Sequence, residues 1–546
     1  MISETDIRTV DCTAFSDQNP GTAGLRKKVS VVRQPHYLET YIQAVFNALK
    51  LPADSTLVLG GDGRFYNNEA IQTIIGMAAA NSVSTLIIGK DGLLSTPAAS
   101  HLIRQQHAAG GFILTASHNP GGPDGDFGIK YNVANGGQAP EQLTDAFFAA
   151  SKTISQYRIV ELPVIDLSRC GKQQINGLVV DVVDSVQDYS ELLQSLFDFD
   201  CMAAAIRNGL SLKFDALHGI TGPYATDIFC RLLGAPAHSL LNAIPLPDFG
   251  GGHPDPNPVD VPGLYSLALS SASPDLLAAS DGDGDRNMVL VPGQMVSPGD
   301  SLAILLANAT RIPGYRNGLP GVARSMPTST AVDRVATKLN IPCYETPTGW
   351  RYFCNLLDSG DIGLCGEESF GTGSSHVREK DGLWAILFWL NLLAVRKISG
   401  GEILKQHWQE FGRDYYQRHD YFIEDSDQAD ALFAALKQNA ENGIANIGNH
   451  ALVMTDNFNY TDPVDGSISA NQGVRLQLEG GSRIIYRLSG TGTAGATLRV
   501  YLQQPEPDSG RHALDTTAVL KALGEIAAAN ARIAHFTGLS APAARI

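Results

Sequence analysis

Ser117 and His118 stand side by side at the end of an apolar run, Gly111 to Leu114. They lie in the stretch Thr115-Ala-Ser-His-Asn-Pro-Gly-Gly-Pro-Asp-Gly-Asp-Phe-Gly-Ile-Lys130, whose glycines and prolines suit neither strand nor helix. A hydroxyl delivered by a strand end, beside an imidazole and upstream of a lysine, can act as a nucleophile and carry a covalent group. A polar surface loop is the bland alternative for a bare Ser-His pair. Three other loops weigh against it, because each supplies something a phosphorylated Ser117 needs.

In Asp281-Gly-Asp-Gly-Asp285 three carboxylates alternate with glycines that let the backbone fold tightly around one point. Hard oxygen ligands of this kind suit Mg²⁺ or Ca²⁺. An EF-hand needs Gly after the third acid and Glu at the twelfth position, where Arg286 and Pro292 stand. Glu367 and Ser369, in Cys365-Gly-Glu-Glu-Ser-Phe-Gly-Thr-Gly373, set an acceptor and a donor/acceptor two residues apart, a spacing able to grip vicinal hydroxyls of a sugar. Arg487-Leu-Ser-Gly-Thr-Gly-Thr-Ala-Gly495 contains a formal GxGxxG, yet Ala496 to Leu502 alternates like a strand, so a dinucleotide fold is rejected. What remains is backbone N–H groups, three hydroxyls and a guanidinium, a cradle for a phosphate dianion.

The serine loop resembles the active-serine loop of the phosphoglucomutases, in the α-D-phosphohexomutase superfamily. The resemblance extends from Gly21 to Gly495, nearly the whole chain. It implies that Ser117 carries the phosphoryl group and joins Asp281, Asp283 and Asp285 in holding one Mg²⁺ per chain. His118 and Lys130 lie beside it, either one taking and returning the hydroxyl proton. Arg26, in Pro20-Gly-Thr-Ala-Gly-Leu-Arg-Lys-Lys28, then belongs to a phosphate-proximal loop, and Arg286 and Lys380 stand near the transferring group. Thr348 and Gly349, together with Glu367, Ser369, His376 and Arg378, are implied as substrate contacts. Arg487, Ser489, Thr491 and Thr493 are implied as the distal phosphate loop. Trp350 is expected to pack. Gly251-Gly-His-Pro-Asp-Pro-Asn257 and Arg324-Ser-Met-Pro-Thr-Ser-Thr330 fit the pattern without an assigned role. The implied activity is interconversion of glucose 1-phosphate and glucose 6-phosphate, with glucose 1,6-bisphosphate as primer and intermediate. The long Gly-Gly-Pro-Asp-Gly-Asp insert before Lys130 favours glucose over mannose.

These loops need elements to deliver them. Leu57 to Leu59, Thr85 to Ile88 and Phe112 to Leu114 read as strands, with helices over Asn68 to Ala80 and Pro97 to His107, the latter opened by a proline. Strand and helix in alternation imply a parallel or mixed sheet covered on both faces, with ligands at the carboxyl ends of strands. The rhythm recurs through Ser211 to Leu217, Tyr224 to Leu233 and Asp275 to Ala279, then through Gly321 to Arg324, Thr330 to Leu339 and Asp361 to Cys365. The tail differs, with short alternating runs at Val474 to Leu478, Arg483 to Leu488 and Thr497 to Leu502, then a helical Thr516 to Ile533. The expected fold is three related α/β domains with mixed sheets plus a smaller α+β C-terminal domain, loops converging on one cleft. Expected spans are 1–190, 191–304, 305–422 and 423–546, with a hinge around Asp425 to Asp430.

At 546 residues the chain is too long for one core, and 44% hydrophobic with 18% charged residues is ordinary globular composition. With 40 basic against 56 acidic residues, a net of -16, nucleic acid and anionic membrane are not expected partners, and a sugar phosphate needs a local basic pocket. Seven scattered cysteines without a CxxC pair indicate free thiols in a reducing compartment. The N-terminus lacks the basic and apolar regions of a signal peptide, and Leu383 to Val395, interrupted by Asn391, is too short to span a bilayer. It reads as a core helix of a cytoplasmic protein. Rivals are a phosphomannomutase or phosphopentose mutase, a phosphatase hydrolysing the phosphoserine, and a non-catalytic scaffold paralogue.

Overall fold

The computed structural model describes residues 7–21, 23–175, 177–448, 450–490 and 495–546. Its first large sheet runs in the order Leu25–Lys28, Asp126–Val133, Gly110–Leu114, Ser55–Gly61, Val83–Leu93, Leu178–Val183, Gly171–Ile175. The central pairings are parallel, while Asp126–Val133 runs antiparallel to Gly110–Leu114. Gly110–Leu114 is buried along its whole length, as a central strand covered on both faces must be. Ser117 therefore emerges from the carboxyl end of a rigid, buried strand.

Two smaller mixed sheets repeat the theme. One contains Leu212–Asp215, Leu276–Ser280 and Asn287–Val291, and its antiparallel turn between the last two is the triple-aspartate loop. The other contains Val322–Ser325, Cys343–Thr346, Leu364–Glu367 and Gly371–Ser374, and its antiparallel turn carries Glu368 and Ser369. In both, a parallel strand is followed by a tight antiparallel return, so the polar loop sits at the strand's carboxyl end. The helix Gly382–Arg396 is buried from Gly382 to Ala394 in the apolar core shared by these layers. Among the described residues no single helix is long and apolar enough to cross a membrane.

The C-terminal sheet is antiparallel, in the order Asn446–Ile447, His450–Asn457, Val474–Leu478, Arg483–Gly490, Ala496–Glu506, Arg413–Ile423, Ala544–Arg545. It corrects the expected hinge. Arg413–Ile423 pairs with Ala496–Glu506 over its full length, so it belongs to this sheet rather than to the domain before it. Asp425 is the N-cap of the helix Ser426–Glu441, accepting from the Asp427 backbone, and not part of a linker. The chain crosses between domains at Gly412, whose φ of 80° closes the preceding helix. Two helices also differ from the expected spans. Thr221–Ala225 continues as a π-helix over Thr226–Leu232, and the helix from Thr516 ends at Asn530, before Arg532 turns left-handed.

Candidate active site

The serine turn is built on a buried charge network. Asp62 and Arg64, both fully buried, follow the strand Ser55–Gly61 and pair at 2.9 Å. Thr115 donates to Asp62 at 2.6 Å, and its hydroxyl accepts the Ser117 backbone N–H at 2.7 Å. Arg64 donates to the carbonyls of Ser117 and Asp126 at 2.8 and 2.9 Å. These bonds hold Ser117 at φ 53°, in the left-handed region that costs a non-glycine residue about 1–2 kcal/mol. The turn aims the Ser117 hydroxyl at Asp281 Oδ2, 2.9 Å away, with His118 Nδ1 at 3.3 Å. Gly282 lets the two loops meet, since a Cβ there would lie 2.8 Å from the Ser117 carbonyl oxygen.

Asp281, Asp283 and Asp285 are buried, with carboxylate oxygens within 4.8 Å of one another. Burial, then the charges of Asp283 and Asp285, push Asp281 well above the carboxylate range. Thr96 donates to Asp283 Oδ2 at 2.7 Å, while Asp283 Oδ1 and Asp285 Oδ1 are buried without a hydrogen-bond partner. Three converging carboxylates with orphaned oxygens fit a hard divalent cation.

Cations surround this acidic centre. Lys380 reaches Asp285 at 3.3 Å, and Arg286 is held by Asp255 at 3.0 Å. Burial opposes the charge on Arg286, but Asp255, Asp281 and Asp285 hold it above its usual range. Arg26 lies on a strand paired with Asp126–Val133, opposite Gly128, and its Nε is buried without a partner. Lys130, on the same neighbouring strand, pairs with the fully buried Glu379 at 2.5 Å. Burial, then Arg286 and Arg26, hold His118 well below the usual imidazole range, leaving it neutral.

On the third loop, Glu367 Oε1 accepts the Gly349 backbone N–H at 2.8 Å, and Thr348 Oγ1 is buried and unpartnered beside it. Ser369 is half-buried at the turn. The loop is tied to the metal-type loop by Asn287 N–H donating to Phe370 O at 2.8 Å and by Gly382 N–H donating to Gly284 O at 3.0 Å. Trp350 packs edge-on against Phe353, as expected. Arg487, half-buried, donates to Tyr501 at 3.3 Å, and the charges of Glu367 and Glu368 act on it. Ser489 lies two residues on along the same strand face, while Thr491 and Thr493 are outside the described residues.

Two expected sugar contacts are placed differently. His376 engages both ring nitrogens with protein, Ser374 at 2.7 Å and Asp381 at 2.8 Å, and stacks on Trp384. Arg378, buried, donates to Asp358 at 2.6 Å and to the carbonyls of Ser375, Val377 and Leu357. With their donors committed, both side chains brace the loop instead of facing a sugar. Sequence reading also missed Asp62, Arg64, Thr96 and Glu379. Asp62 and Arg64 carried one signal, a charged pair in a Gly-rich strand-end loop, Gly60-Gly-Asp-Gly-Arg64.

Comparison with known proteins places these loops in one lineage. The profiles described as phosphoglucomutase/phosphomannomutase alpha/beta/alpha domains I, II and III match residues 17–158, 187–294 and 298–411. The phosphoglucomutase-1 C-terminal domain profile matches residues 413–543. A phosphoglucomutase of Rhizobium radiobacter is 54% identical over 537 residues, 98% of this chain and 99% of that protein. Human phosphoglucomutase-1 is 48% identical over 557 residues, again 98% and 99%. The open form of the Paramecium phosphoprotein pp63/parafusin, a phosphoglucomutase, superposes with a TM-score of 0.91 at 45% identity, covering 99% of both chains. The chain is a member of the phosphoglucomutase/phosphomannomutase family.

Proposed function

We propose that this chain interconverts α-D-glucose 1-phosphate and glucose 6-phosphate through a phosphoserine at Ser117 and a glucose 1,6-bisphosphate intermediate. The observation that carries the reading is the 2.9 Å contact between the Ser117 hydroxyl and Asp281, made across two domains by a serine held in a left-handed turn. Asp281, Asp283 and Asp285, with the Ser117 oxygen, would hold one Mg²⁺. When bound, it neutralises charge on the phosphoryl oxygens.

In the first half-reaction the bond between phosphorus and Ser117 Oγ breaks as a bond to the free sugar hydroxyl forms. The hydroxyl proton passes to His118 or Lys130. Arg26, Arg286 and Lys380 offset the charge on the transferring group, and positioning supplies most of the rate enhancement. The bisphosphate then presents its other end, and the reverse sequence returns a phosphoryl group to Ser117. Glu367 and Ser369 would bind the sugar hydroxyls in both orientations, with Thr348 and Gly349 beside them. Arg487 and Ser489, with Thr491 and Thr493, would hold the phosphate that is not reacting. All seven cysteines are free, which supports a cytoplasmic setting.

A coupled assay for glucose 6-phosphate, started with glucose 1-phosphate with and without glucose 1,6-bisphosphate, tests the proposal. Turnover stimulated by the bisphosphate is expected. Faster turnover of mannose 1-phosphate, or release of inorganic phosphate in place of isomerisation, would contradict it.

A further inference from the structure

Phe249 is buried, with 2% of its surface exposed, yet among the described residues it belongs to none of the apolar cores that hold the domains together. Its ring sits instead between the two loops that meet at Ser117. The Arg64 guanidinium lies over one face, 5.2 Å from the ring centroid. One edge abuts Gly121 of the serine loop, where an added Cβ would stand 2.9 Å from Cδ2. Cζ, at the tip of the ring, abuts Gly282 of the aspartate loop, where an added Cβ would stand 3.1 Å away. The ring therefore fills the room left by two missing Cβ atoms, one on each loop.

Phe249 reaches this place from a segment of the second domain that is pinned to the first. The Pro247 carbonyl accepts the backbone N–H of Phe65 at 2.9 Å and that of Gly122 at 3.0 Å. Phe249 itself is held at φ 53°, a left-handed conformation that a bulky residue keeps only where its surroundings over-determine it. The turn is held by the Asp248 carboxylate, which accepts the Gly250 N–H at 3.0 Å, and by the Leu246 carbonyl, which accepts the Phe249 N–H at 3.0 Å. Apolar burial alone gives no reason to keep a phenylalanine in this conformation. We infer that Phe249 is a positioning residue, a spacer whose ring seats the serine loop on the aspartate loop and fixes the 2.9 Å approach of Ser117 to Asp281. Its effect on rate rests on the proposed mutase activity; its effect on geometry does not.

The test compares wild type, F249A, F249L and F249Y by crystal structure, thermal unfolding and mutase kinetics. In F249A and F249L the spacer is gone, and the distance from Ser117 Oγ to Asp281 Oδ2 should lengthen past hydrogen-bonding range. Their kcat should fall about a hundredfold, as for a group misplaced by an ångström. KM for glucose 1-phosphate should change little, because the Glu367 and Arg487 loops lie on other domains. F249Y separates spacing from burial. It keeps the ring but adds an oxygen on Cζ, the atom against Gly282. It should therefore push the loops apart and lose rate even with a wild-type unfolding temperature, and it covers the case that the smaller variants do not fold. A wild-type Ser117–Asp281 distance in F249A or F249Y, or wild-type kcat in any folded variant, would overturn the inference. A wild-type chain without mutase turnover would instead defeat the proposed function, leaving the crystal structures to decide the spacer role.

Discussion

Arg64→Met removes the guanidinium that supports the Ser117 turn. Arg64 and Asp62 are both fully buried, and Arg64 also donates to the carbonyls of Ser117 and Asp126 and lies over the Phe249 ring at 5.2 Å. Without it Asp62 keeps the Thr115 hydroxyl and the backbone N–H of residue 64, but no cation. Breaking one side of a buried pair costs about 3–5 kcal/mol, and the left-handed Ser117 conformation loses the bonds that offset its strain. A turn relaxed by one ångström would carry the hydroxyl away from Asp281, a loss of about a hundredfold in kcat. Denaturant unfolding and the coupled mutase assay at saturating Mg²⁺ and bisphosphate read the two effects separately. Asp62→Asn combined with Arg64→Met should recover part of the stability, because no bare carboxylate remains, but none of the rate. Stability within about 1 kcal/mol of wild type, together with near-wild-type kcat, would refute the support role of the pair.

Thr96→Ala removes the 2.7 Å bond to Asp283 and should weaken Mg²⁺ binding roughly ten- to a hundredfold, read by titration calorimetry. Arg487→Ala should cost about 2–3 kcal/mol of binding for glucose 1-phosphate and glucose 6-phosphate alike, since each in turn would place its phosphate there; a loss for only one substrate in steady-state kinetics would contradict the role. Asp300, buried beneath Trp408 and near Asp414, has its carboxyl pushed up to about 6 by burial. A raised carboxyl pKa favours the folded state below the unfolded value near 4, and that contribution is lost as pH rises through 6. Asp300→Asn should therefore gain stability relative to wild type between pH 4 and pH 8, by up to about 3 kcal/mol, in unfolding experiments at the two pH values.

The alternation of strand and helix and the polar loop closing each unit were legible in the sequence, because apolar runs and Gly-rich turns are local signals. Ser117 and the three aspartates stood out for the same reason: residue type and short spacing carry their chemistry. Thr96 and Asp283 are 187 residues apart, and Asn132 and Glu379 are 247 apart, so only the assembled domains bring them together. His376 and Arg378 were misplaced because a basic side chain near a sugar-type loop reads the same whether it faces a ligand or braces the backbone. The hinge was misread for a related reason. Asp425 to Asp430 is acidic enough to resemble a linker, whereas Arg413–Ile423 carries too many polar residues to read as the long sheet strand it is.

The central claim is that Ser117 carries the phosphoryl group, and intact-mass spectrometry after incubation with glucose 1,6-bisphosphate and Mg²⁺ tests it most directly. The wild-type chain should gain one phosphoryl group, mapped by peptide fragmentation to Ser117. Ser117→Ala should stay unmodified and show no mutase turnover. Wild-type turnover by Ser117→Ala, or a phosphoryl group mapped to another residue, would contradict the account.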